Sequence, residues 1–85
     1  MTSMEDHLQK SEDLVIEAIR RKLGKNYPES TRLLVTFEDF IIKNEPNVAG
    51  RLRTAIRKLL AGKDCTFETI YLVGMSEKLL IDYAC

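Results

Sequence analysis

The side chains able to do chemistry are few and scattered. The one histidine, His7, stands in a polar N-terminal stretch and reads as a surface side chain, with no nucleophile, base and orienting group assembled around it. Cys65 and Cys85 form neither a CxxC pair nor a metal-ligand spacing, and a structural zinc site needs four ligands. The two could close one disulfide, but nothing in the sequence requires it, so reduced thiols are the expectation. Cys65 follows Lys63 near the start of a segment read as helix, a setting that favours a thiolate and gives only a faint redox hint. Gly24, Gly50, Gly62 and Gly74 are each isolated, so no glycine-rich loop cradles a phosphate. On a helix, Glu38 and Asp39 would point to different sides and make a poor acid–base or metal pair. These residues predict a protein that is not an enzyme, with no cofactor and no metal.

Positive charge is the chemistry that does concentrate. The stretch Pro46 to Lys63 carries Arg51, Arg53, Arg57, Lys58 and Lys63 with no acid among them. Val48, Leu52, Ala55, Ile56, Leu59 and Leu60 recur there at helical spacing. The expected element is a helix with one face in a core and a cationic face left for a partner. Net charge is zero, with 13 basic and 13 acidic side chains, so no bulk field draws in a polyanion. No aromatic is interleaved with the cations to stack on bases. An acidic protein surface is therefore the expected partner, ahead of nucleic acid.

The remaining elements are those that would hold this helix. Length allows one domain, residues 1–85, with residues 1–10 free to fray. Hydrophobic residues make up 45% of the chain, which excludes a disordered polymer. From Ser3 to Leu23, Met4, Leu8, Val15, Ile19 and Leu23 share a helical face, and Ser3 with Asp6 forms a capping-box pattern. Acids at its start and Arg20, Arg21 and Lys22 at its end suit the helix dipole, and Glu17 pairs with Arg21 at i,i+4. Gly24 and Pro28 close that helix. In residues 29–44, Leu33, Leu34, Phe37, Phe40 and Ile41 match a second helical stripe. Val35, Thr36 and Ile42 have strand propensity, but Leu33-Leu34-Val35 breaks the alternation a half-buried strand would show, which favours helix.

The last segment, Thr66 to Ala84, is apolar on too many sides for one amphipathic helix and divides naturally at Gly74. So divided, TFETIYLVGMSEKLLIDY resembles a helix-turn-helix, with Gly74 at the turn and Val73, Met75, Leu80 and Tyr83 around it. Its second helix would offer Lys78 as its one cation, against Glu77 and Asp82, and Ile70 stands where close packing wants a small residue. The predicted fold is an all-α bundle or orthogonal array of four helices, five if the last divides. Val35 and Ile42, seven apart, with Leu72, Leu79 and Tyr83, form the expected oligomer face of a homodimer. The expected function is regulatory or adaptor binding to another protein, with a DNA-binding regulator using residues 47–63, 66–84 or both as the alternative. The N-terminus is unlike a signal or transit peptide and no run reaches membrane-span length, which makes the cytoplasm the expected compartment.

Overall fold

A computed structural model describes residues 3–28 and 30–85. Met1 and Thr2, within the stretch expected to fray, and Glu29, within the expected second helix, lie outside the described residues. The elements run α1 (Met4–Leu23), β1 (Arg32–Phe37), α2 (Val48–Leu60), β2 (Thr69–Gly74) and β3 (Leu80–Ala84). The chain is therefore an α/β fold, which overturns the all-α bundle: among the described residues, two of the expected helices are present, and the other segments are sheet.

The two helices form where local signals agree. Ser3 caps α1: its hydroxyl accepts from the Asp6 amide, and the Asp6 carboxylate accepts from the Ser3 amide. Arg20 and Arg21 both bond Glu17 one turn back. α2 starts after Asn47, which holds a left-handed φ of 67°, so Pro46 belongs to the preceding turn rather than to the helix.

The expected second helix is instead β1, then a run of turns through residues 40–47. Its side chains do alternate: Leu33, Val35 and Phe37 are buried, while Arg32, Leu34 and Thr36 face solvent. The alternation is hidden in the sequence because Leu34, 63% exposed, is apolar on the outer face. The last segment fails as a helix for the same reason. Ile70 and Leu72 point inward from β2, Tyr71 and Val73 outward, so both strand faces are apolar. A helix-turn-helix at residues 66–84 is thereby excluded; the segment is an antiparallel pair, with Tyr71 opposite Asp82 and Val73 opposite Leu80.

The sheet order is β1-β2-β3, with β1 and β2 parallel and joined through α2. Both helices lie on one face. Val15 and Ile19 of α1 and Val48, Leu52 and Ile56 of α2 close a core over Leu33, Val35, Phe37, Ile70, Leu72 and Ile81. Ile42 and Phe67 complete it from the loops, and Phe67 packs against Tyr27 with ring centres 5.6 Å apart.

Asp39, fully buried just beyond β1, ties the two ends of the parallel pair together. Its carboxylate accepts from the Ser76 amide at 2.9 Å and from the Ser76 hydroxyl at 2.7 Å. The carboxylate rests against Gly74, where any β-carbon would collide with it. Gly74 thus marks a close approach and not a break between helices. Gly74→Ala is expected to cost about 2–3 kcal/mol by overpacking. Asp39→Ala, which strands the Ser76 donors, should cost a similar amount. Urea unfolding of both variants measures this, and a loss under 0.5 kcal/mol in Gly74→Ala would contradict the contact.

Candidate binding surfaces

The five cations expected to meet a partner divide into two groups. Arg51 is engaged by α1: Nη1 lies 2.9 Å from a Glu5 oxygen, Nη2 donates to the Gln9 side-chain carbonyl at 3.0 Å, and Nε is 3.8 Å from Glu12. Its side chain is 26% exposed, and Nε is buried with no hydrogen-bond acceptor. Arg51 therefore fastens the two helices to each other. Arg53 reaches the edge of β3, where Nε donates to the Asp82 carbonyl at 3.2 Å and Nη2 to its carboxylate at 3.3 Å. It occupies backbone acceptor capacity that an edge strand would otherwise offer to another chain. Arg57, Lys58 and Lys63 are exposed and join no ion pair among the described residues.

The fold adds cations that sequence spacing separated. Glu5 and Gln9 meet Arg51, while Arg20 lies across a groove from Lys58 and Leu59, so α1 and α2 run parallel. Their C-terminal ends stand side by side. Arg20, Arg21, Lys22 and Lys25 of the first helix and its exit join Arg57, Lys58 and Lys63 of the second at one end of the molecule. The RRKLGK run reads in sequence as dipole compensation alone; the parallel packing makes it half of a larger basic surface. The opposite end carries Glu5, Asp6, Glu38, Glu45 and Glu77 against Lys43 and Lys78.

Three of the five residues of the expected oligomer face are not on the surface. Val35, Ile42 and Leu72 are buried in the core of a single chain because the sheet hides the strand faces they occupy; Leu79 and Tyr83 are half-buried against that core. What the sheet leaves uncovered is its other face. There Leu34 stands beside Tyr71, and Val73 beside Leu80, which is 72% exposed. A parallel strand pair is ordinarily covered on both faces, so this bare one is unusual for a β-α-β unit.

The residues considered for chemistry remain apart. His7 lies with Lys10, Ser11, Leu14, Glu38 and Ile41 around a cleft of about 150 Å³, well under the ~300 Å³ of an ordinary small-molecule pocket. Glu38 is exposed and accepts from the Phe40 amide, while Asp39 is interior. Cys65 and Cys85 are joined by a disulfide, which corrects the expectation of free thiols and ties the end of β3 to the loop before β2. Among the described residues, no group of three His, Cys, Asp or Glu side chains could hold a metal ion, and no helix is long and apolar enough to cross a membrane. No family model, curated protein or solved structure matches the chain.

The division among the arginines is measurable. Arg51→Ala, which unpins α1 from α2, is expected to lower stability by about 1–2 kcal/mol. Arg57→Ala should stay within about 0.5 kcal/mol of the parent. Chemical denaturation of the two variants side by side would contradict the assignment if their order were reversed.

Proposed function

We propose that the protein is a small non-catalytic regulatory or adaptor protein that acts in the cytoplasm by binding an acidic surface on another protein, and that it does so as a homodimer. One observation carries the reading: parallel packing gathers the cations of both helix ends, and Arg57, Lys58 and Lys63 among them have no ion-pair partner among the described residues. Cations spent on internal ion pairs add little to recognition, whereas unpaired cations clustered at one end give complementarity and a steered encounter. Arg51 and Arg53 leave the partner-binding set because Glu5, Glu12 and Asp82 hold them. Zero net charge and the acids at the other end favour a protein partner over a long polyanion.

A labelled peptide rich in Glu and Asp, titrated against the protein, should bind saturably. Its affinity should fall about tenfold or more in the Arg57→Glu/Lys58→Glu double variant. A labelled duplex DNA should show no saturable binding at about 0.15 M salt. Saturable duplex binding that drops steeply with salt and vanishes in the same variant would replace the protein-binding reading with a nucleic-acid one.

The cytoplasmic assignment carries its own expectation. Glutathione and thioredoxin reduce accessible disulfides in the cytoplasm, so there the Cys65–Cys85 bond seen in the structure should be opened to a dithiol. Alkylation at the moment of cell lysis, read by mass spectrometry, should tag both residues. Protein in which neither is tagged belongs to an oxidising compartment.

A further inference from the structure

We propose that two copies of the chain pair β1 to β1 in antiparallel fashion, about a two-fold axis through Leu34, to make one continuous six-stranded sheet. This deepens the homodimer part of the preceding reading, and it stands on the hydrogen-bond inventory of the sheet.

The Phe37 carbonyl accepts from the Met75 amide, so Phe37, and with it Val35 and Leu33, turn their backbone groups toward β2. By strand alternation, Arg32, Leu34 and Thr36 turn N–H and C=O to the open edge. No backbone or side-chain partner for those groups appears among the described residues. The far edge of the sheet is treated differently, since Arg53 blocks it at Asp82. β1 has no proline, no bulge and no inward-pointing charge, and its one charged side chain, Arg32 at the strand's start, is turned back to Glu68 on the β2 side.

The open edge is also self-complementary. With Leu34 opposite Leu34 of the second copy as a hydrogen-bonded pair, Arg32 falls opposite Thr36 and Thr36 opposite Arg32. Every outward N–H and C=O of the three residues then finds a partner.

A second element obeys the same axis. Leu14, 59% exposed, stands at the middle of α1 on the side away from α2, beside Ile41 and the loop that leaves β1. An axis through the middle of β1 brings the two α1 helices alongside each other, antiparallel, with Leu14 near Leu14. It also sets Lys10 near Glu17 of the second copy, and Asp6 near Arg21 of the second copy. The acidic start of each α1 meets the basic end of the other, which supplies charge complementarity for a second copy over any other occupant.

The test is self-association of the full chain by sedimentation equilibrium, with backbone hydrogen exchange as a second readout. The parent should move from 9.8 kDa toward twice that mass as its concentration rises. The amides of Arg32, Leu34 and Thr36 should gain protection over the same range. Leu34→Lys sets like charges on the axis, and Leu14→Glu does so between the helices. Each should raise the dissociation constant by about a hundredfold or more. An equimolar mix of Leu14→Glu and Leu14→Lys should restore association. Arg57→Glu, at the basic end, should leave it unchanged, so loss of peptide binding and loss of dimer are separable. A parent that stays monomeric at hundreds of micromolar overturns the proposal. So does a dimer in which those three amides exchange as fast as in the monomer, or one abolished by Tyr71→Lys on the outer face but not by Leu34→Lys.

Discussion

The fold depends on one buried contact, the carboxylate of Asp39 resting on Gly74 and gripping Ser76. Parallel strands have no hairpin to fix their register, because the chain leaves the sheet between them. Here the link is made at the far end. Asp39 follows β1 and Ser76 follows β2, so their bonds hold the two strand ends level. The carbonyl of Asp39 also accepts from Ile42 and Lys43, which turns the chain toward α2 and seats Ile42 in the core. Register, crossover and the β2–β3 turn therefore share one anchor. Gly74 is required for it because the carboxylate occupies the space of a side chain.

The same contact shows where sequence reading reaches its limit. The helices were legible because their signals are local: the Ser3 box, the Glu17–Arg21 pair and the apolar stripe from Val48 to Leu60 all act within a turn or two. The strands were not, because their meaning is set across the sheet. Leu34, Tyr71, Val73 and Leu80 make each strand apolar on both sides, which erases the alternation that distinguishes a half-buried strand. Gly74 as punctuation and Gly74 as a cradle look identical until Asp39, 35 positions earlier, is placed beside it.

The basic helix was legible as a helix and only partly as a surface. Nothing in the spacing of Arg51 and Arg53 separates them from Arg57 and Lys58. The division comes from what packs nearby: α1 presents Glu5, Gln9 and Glu12 to Arg51, and the edge of β3 presents Asp82 to Arg53. An arginine is bound internally where an acid on another element comes within reach, and that depends on topology. The parallel run of α1 and α2 is equally invisible in sequence, yet it merges two cationic runs into one.

Those failures and the proposed interactions share a cause. A small α/β unit with helices on one face has too few elements to cover every apolar strand position or close both sheet edges. In a chain that had to stand alone, polar residues at 34, 71, 73 and 80 would restore alternation, and a charge or proline at the middle of β1 would blunt its edge. This chain instead spends Arg53 on the β3 edge and leaves β1 bare, with Leu34 at its centre and Leu14 above it. The two edges thus differ: Arg53 occupies a backbone acceptor on β3, while the outward backbone groups of β1 are those the proposed pairing uses. Of the apolar residues that disguise the strands in sequence, Leu34 alone lies on that open edge, whereas Tyr71, Val73 and Leu80 line the outer face of the sheet.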